Sequence, residues 1–390
     1  MTAAVTSRYM PKQKLLHETL MKYRLPLALF AMLAACGDKE EPPPAAPAVE
    51  IAVADQYGAF DAEVTGIAFW THPTLPFRGL LIAASENGLV AFNIEDGAEA
   101  ARADDIKATG IAVSYTGAGE KAQGYAAVST GAGADGGISF YAIDNASRSL
   151  ISTPAFFVPG MAEDRGFCLG RDESGEALLV HRARRSGLAS HLVASGEETA
   201  DAKERFTPFR GGFTACVADD VDRAIFAATE KGDIYRIDRS GAIGEAPLVK
   251  SHVENPLSLG LTYSGLVEGG PTEECCGYLY LFDGARVHVF DREDGRALGI
   301  VTLGASFEND GVAAASVMGV GAGNFGGLYR DGVLALATAG TAPVIRLAPV
   351  TALADALALK FGVPANLRGL GAQTEEAPGL DIGIRAPDAP

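Results

Sequence analysis

Thr65-Gly-Ile-Ala-Phe-Trp70, Leu80-Leu-Ile-Ala-Ala-Ser85 and Gly88-Leu-Val-Ala-Phe-Asn-Ile94 follow one another closely. Each is a short apolar run bounded by Gly, Pro, Asn or Asp, too short for a helix and rich in the residues that fill strands. Similar openings recur at Thr109-Gly-Ile-Ala-Val113, Arg165-Gly-Phe-Cys-Leu169, Thr214-Ala-Cys-Val-Ala218, Leu259-Gly-Leu-Thr262 and Asp310-Gly-Val-Ala313. A period of roughly 45 to 55 residues is that of a propeller blade of four antiparallel strands. The pattern predicts an all-β, six-bladed β-propeller over residues 50–350. Thr351 to Phe361, with Leu353, Leu357 and Phe361 four apart, predicts one short C-terminal helix within 351–362, capped by Thr351. Residues 363–390 have no periodicity and read as a flexible tail.

Composition agrees with a single large β domain. Of 390 residues 48% are hydrophobic and 21% charged, and 47 glycines fall between the apolar runs. A net charge of −17 and a pI near 4.8 argue against nucleic acid, whose binding needs Lys and Arg on phosphates. An acidic chain can still take a phosphate ester where calcium screens its carboxylates.

The N-terminus reads as an address. Met21-Lys-Tyr-Arg24 precedes an apolar run from Leu25 to Ala35 that ends in Leu33-Ala-Ala-Cys36. A basic start, a short apolar core and small residues before a cut make residues 1–35 a signal peptide, with Met21 the better start. Its ending resembles the lipobox of bacterial lipoproteins, which implies lipid on Cys36. Residues 36–49, with Pro42-Pro-Pro44, then form a lipid-anchored Pro-rich tether. Asp38, at the third position after cleavage, points to the outer membrane; the expected location is across the inner membrane, on the outer membrane or its periplasmic face.

Besides Cys36 there are Cys168, Cys216, Cys275 and Cys276. Cys168 and Cys216 occupy similar points of consecutive repeats, which suits either a disulfide between neighbouring strands or two buried thiols. Cys275-Cys276 reads as a vicinal pair in a turn. The glycine string Gly321-Ala-Gly-Asn-Phe-Gly326 is read as a turn, because a strand and not a helix follows. The six histidines are scattered, with no zinc or triad spacing.

Phe69-Trp-Thr-His-Pro-Thr-Leu-Pro76, Glu163-Asp-Arg-Gly-Phe-Cys-Leu169, Cys216-Val-Ala-Asp-Asp-Val221, Asp310-Gly-Val312 and Ala348-Pro-Val-Thr-Ala-Leu-Ala-Asp-Ala-Leu357 appear in that order. The set resembles the β-propeller phytases. The resemblance implies calcium as cofactor, with several ions at one mouth of the channel, and phosphomonoester hydrolysis of phytate by metal-activated water. Departures from the family are numerous. Its Asp-Asp before the Trp is Thr65-Gly66 here, its first-blade Lys is Glu86 or Asn87, its Asn-Arg is Ser129-Thr130, and two of its Glu positions are Thr214 and Ser258. Its final Asp of the sixth blade is Ala313. Asp61 and Glu63 share strand parity with Thr65 and are displaced substitutes at best.

The surviving candidate calcium ligands are Glu163, Glu230, Glu308 and Asp310, the alternative being solvated acids at strand ends. Arg182, Arg184 and Arg185 stand where the family grips phosphate; the alternative is a loop of solvated charge. Two functions follow: a calcium-dependent phosphohydrolase acting on a small anionic phosphate ester, or a non-catalytic surface propeller binding a protein or small ligand. The expected assembly is a monomer that meets the membrane only through its lipid.

Overall fold

The computed structural model describes residues 46–359, apart from 132–135, 161–163, 194–203 and 268–269. The chain divides into Met1–Ala45 and Ala46–Pro390, and the second unit carries the fold described below. Cys36, Glu163 and the tail 363–390 lie outside the described residues.

Two short strands, β1 (Ala48–Ala52) and β2 (Asp55–Tyr57), precede the repeats. The first blade holds β3 (Val64–Trp70), β4 (Leu80–Ser85), β5 (Gly88–Asn93) and β6 (Glu99–Ala103). The second holds β7 (Gly110–Thr116), β8 (Gln123–Thr130), β9 (Gly137–Ile143) and β10 (Leu150–Pro159), and the third β11 (Asp164–Arg171), β12 (Leu178–Arg184), β13 (Gly187–Val193) and β14 (Arg205–Pro208). The fourth has β15 (Ala215–Asp219), β16 (Ala224–Ala228) and β17 (Ile234–Asp238). The fifth has β18 (Ser258–Val267), β19 (Gly270–Phe282), β20 (Val287–Asp291) and β21 (Ala297–Gly304), and the sixth β22 (Ala315–Gly321), β23 (Val333–Thr338) and β24 (Ile345–Pro349), followed by α1 (Val350–Leu357). Each blade is a separate antiparallel sheet, and the first strands β3, β7, β11, β15, β18 and β22 adjoin one another in a closed ring. This is a six-bladed β-propeller.

The second strand of a blade is buried on both faces, so it reads as an unbroken apolar run. Leu80 through Ala84 are all nearly inaccessible. Alternate side chains of β4 part to opposite sides, as strand pleating requires. Leu80, Ile82 and Ala84 pack with Ala126, Val128 and Tyr141 of the second blade. Leu81 and Ala83 pack with Val333, Ala335 and Ala337 of the sixth. The core is thus a circular series of interfaces between blades, and no blade can bury its faces alone.

The repeated glycine at the openings has a steric cause. A Cβ on Gly66 would lie 2.8 Å from the Ile111 nitrogen, and one on Gly166 would lie 2.9 Å from the Thr214 oxygen. Neighbouring first strands approach too closely there for a side chain.

Three features differ from the sequence expectation. Asp310-Gly-Val-Ala313 precedes the sixth blade, whose first strand begins at Ala315. Cys275 and Cys276 lie on β19 and not in a turn, with Cys276 opposite Ser264 of β18. The helix starts at Val350, with Pro349 at its N-cap and no side-chain cap, and ends in a left-handed Ala358.

Ring closure uses the start of the chain twice. β1 pairs parallel outside β21, with Ala48 opposite Ile300, and so begins two residues inside the range read as tether. β2 then pairs antiparallel outside β24, with Asp55 opposite Leu347. One short stretch therefore supplies the outermost strand of two adjacent blades and covers two edges that would otherwise stay unpaired.

Candidate functional site

The ring of first strands encloses a channel of about 550 Å³. We call the rim where these strands begin the mouth and the rim where they end the base. Each blade contributes apolar or backbone surface to the wall, among them Ile67, Ala112, Phe167, Val217, Leu259 and Val320.

Hydroxyl groups circle the mouth, and each is already engaged with the fold. Thr65 Oγ1 donates to the carbonyls of Ala84 and Ala108 at 3.2 and 3.0 Å. Thr214 Oγ1 donates to Ala228 O at 3.2 Å, and Ser316 Oγ to Val64 O at 2.8 Å. Thr109 Oγ1 and Ser129 Oγ are 3.0 Å apart. Ser258 Oγ accepts from the Met318 amide at 3.2 Å. Thr65, Thr214 and Ser258 are therefore ties between side chain and backbone, and Ser129 is a tie between two hydroxyls.

The third blade breaks this belt with charge. Arg165 reaches across to Glu230 in the loop after β16 of the fourth blade. Behind it, Arg182 is almost wholly buried, and its Nη1 donates to Asp164 Oδ2 at 2.9 Å and to the Pro159 carbonyl. Arg182 Nη2 lies 2.7 Å from His191 Nε2, so that nitrogen accepts and the ring is neutral. Burial, then the Arg182 charge, push His191 down to about 4. Arg184 donates to Asp164 Oδ1 at 3.0 Å and takes both oxygens of Glu204 at 2.9 and 3.0 Å. That hydrogen bonding holds the Glu204 carboxyl below its ordinary range.

Of the three arginines read as a phosphate grip, two are internal. Arg182 and Arg184 are charge-balanced inside the third blade by Asp164 and Glu204, and Arg185 alone is exposed, in the turn after β12. The register that sets Asp164 opposite Arg184 carries one of these pairings. Glu204 and His191 carry no local signal, because Glu204 meets β12 only through the folded sheet.

The acidic candidates are dispersed. Glu308 is exposed in the loop before β22. Asp310, nearly fully exposed in the same loop, lies 3.6 Å from the Arg346 guanidinium. Glu230 faces Arg165. Asp61 and Glu63 are exposed ahead of β3. Calcium takes about six to eight oxygens at one point. Among the described residues no three His, Cys, Asp or Glu side chains gather so as to hold a metal ion. Of the four candidate ligands, the described Glu230 and Asp310 face different arginines and Glu308 is exposed in the loop before β22.

Toward the base, Asp219 and Asp220 of the segment from Cys216 to Val221 meet arginines distant in sequence. Asp219 is buried 3.4 Å from Arg292, whose guanidinium also donates to Asp222 at 2.8 Å and lies 5.5 Å from the Tyr263 ring centre. Asp220 accepts from the Arg171 amide at 2.8 Å and faces Arg239 at 3.6 Å. Burial raises both carboxyls, Asp219 and Asp220, above the ordinary range despite these partners. Cys168 and Cys216, on adjacent first strands, are joined by a disulfide with their Cα atoms 5.6 Å apart.

The channel thus offers a wall that mixes apolar side chains with hydroxyls engaged in the fold, and charges paired within the fold. No histidine is among the described residues that line it.

No protein-family model matches this chain, and none of the curated proteins matches it. Among solved structures it is similar to "Crystal structure of BBS1N in complex with ARL6DN, soaked with mercury", at 11% identity and a TM-score of 0.42, over 74% of this chain and 79% of that one. The propeller assignment rests on the ring of six sheets itself.

Proposed function

We propose that this protein is a non-catalytic binding propeller that admits a small ligand with an apolar body through the channel mouth. One observation carries the reading: the charged side chains on the described channel wall are partnered within the fold, while the remaining wall, around a cavity of about 550 Å³, mixes apolar side chains with hydroxyls and backbone. Ligand pockets are typically concave, largely apolar and about 300 to 1,000 Å³, with a few polar groups for orientation. Arg165, at the mouth and a fifth exposed, is the group placed to orient a ligand, by exchanging Glu230 for a polar atom of it.

The resemblance to β-propeller phytases supports the other reading, calcium-dependent hydrolysis of a phosphomonoester. Its chemistry needs clustered oxygens and free cations. The described mouth supplies Thr and Ser tied to carbonyls and arginines held by carboxylates.

The full chain separates the two. Phosphate release from phytate should be absent with and without millimolar calcium. The neutral probe N-phenyl-1-naphthylamine should bind with saturation, and Ala112→Phe, which adds a ring to the wall, should abolish binding without lowering the melting temperature enough to unfold the ring. Calcium-stimulated phosphate release would overturn the binding reading in favour of the hydrolase.

A further inference from the structure

Three exposed apolar side chains lie on two neighbouring loops at one edge of the base. Leu75 is 38% exposed, Phe77 44% and Leu328 64%. The first two lie on the loop between β3 and β4 and the third on the loop between β22 and β23, which places them where the first and sixth blades adjoin. The loops touch: a Cβ on Gly326 would lie 3.0 Å from the Phe77 Cα. Phe325 and Tyr329 are buried beneath them, so the two loops are held from below while their apolar tips stay in solvent. Arg78 borders the cluster, and so does Arg330, three-quarters exposed and paired at 3.8 Å with the half-buried Asp331. An exposed apolar cluster rimmed by cations is the chemistry that a lipid surface with anionic headgroups recognises.

The occupant follows from where the chain leaves the propeller. Successive strands of a blade alternate in direction, so first strands end and fourth strands begin at the base. β1 runs parallel to the fourth strand β21, and the Pro47 carbonyl accepts the Ile300 amide, so the residues before Pro47 depart toward the base. Pro47 stands eleven positions after Cys36. Eleven residues span at most about 40 Å, a short leash for a chain fixed at Cys36. The chain therefore leaves by the face that carries the exposed apolar cluster.

We propose that Leu75, Phe77 and Leu328 seat the base of the propeller on the lipid bilayer to which Cys36 tethers the chain, with the channel mouth directed away from the membrane. The proposal rests on the lipobox reading of Cys36 and is independent of what the channel binds. The anchor supplies attachment, and the three side chains supply orientation. A lipid held at one residue of a tether fixes position and not orientation, whereas a second apolar contact fixes both.

The test uses the full chain, matured in a bacterium, purified in detergent and placed in vesicles of phosphatidylethanolamine and phosphatidylglycerol. Amide hydrogen exchange in residues 71–79 and 322–332 should slow on vesicles relative to detergent, while the mouth loops 85–88 and 104–109 keep their detergent rates. Leu75→Ser/Phe77→Ser/Leu328→Ser should lose that protection while remaining with the vesicles through the anchor. Protection of the mouth loops, or equal exchange of the base loops in both settings, would overturn the proposal. So would base protection that appears in detergent on raising protein concentration, which would assign the cluster to a second copy of this chain. Metabolic labelling with palmitate should mark the wild type and not Cys36→Ala; unlabelled wild type would overturn the tether and the seating together, and would leave the channel reading untouched.

Discussion

Arg182 and Asp164 form an ion pair at 2.9 Å in which the arginine is 2% exposed, at the joint between the second strand of the third blade and its first. A buried guanidinium needs its partners, and removing one leaves a desolvated charge. Asp164 also serves Arg184. Asp164→Ala is expected to destabilise the protein by about 3 kcal/mol, because Glu204 can only partly take over both arginines. Urea unfolding of the two proteins at neutral pH checks this. An Arg185→Ala change, on an exposed turn residue, should alter the midpoint by less than about 0.5 kcal/mol.

The Cys168–Cys216 bond closes a loop of 48 residues between the third and fourth blades. Loop-closure entropy assigns such a cross-link about 4 kcal/mol of stabilisation. Cys168→Ser/Cys216→Ser should therefore lower the unfolding free energy by roughly that amount, and dithiothreitol should shift the wild type toward the variant and leave the variant unmoved.

Two imidazoles set an acid limit. Burial pushes His181 down to about 3 and His191 to about 4, against about 6.5 when unfolded. As pH falls below the unfolded value, the unfolded chain takes up protons that the native protein refuses, so stability present at pH 7.5 is lost progressively toward pH 4. At pH 5 the loss is about 2 kcal/mol for each histidine. Denaturant midpoints across this range should fall steeply, and His181→Gln, which removes one titrating group, should flatten the slope by about half.

Glycine at the second position of the openings is expected to be irreplaceable where the next strand is closest. Gly66→Ala or Gly166→Ala must move backbone that lies within 3 Å of the new methyl group, at a cost of about 1 to 3 kcal/mol. Ala215, the equivalent residue of the fourth blade, already carries a methyl, and Ala215→Gly should cost only about 0.5 to 1 kcal/mol. Thermal unfolding of the three variants checks the contrast.

The blades were legible because what makes them recurs once in every repeat. The unbroken apolar run from Leu80 to Ala84 follows from burial of a second strand on both faces, and the glycine beside Thr65 from the close approach of the next blade's first strand. The sixth opening was misplaced, since Asp310-Gly-Val312 imitates an opening but lies in the connection where Asn309 and Ser306 make their own turn. β1 and β2 escaped the reading because five- and three-residue strands at a sheet edge have no core-facing pattern of their own.

By itself the sequence determined the all-β class, the count of six blades and the chemistry offered at the mouth, because residue type and period act at short range. Only the tertiary structure decided what those residues do there. It set Arg182 and Arg184 against Asp164 and Glu204, tied Thr65 and Thr214 to carbonyls, and separated Glu230 from Asp310. The reason is desolvation: whether a charge serves a ligand or the fold depends on which partner burial brings to it, and that partner lies far away in sequence.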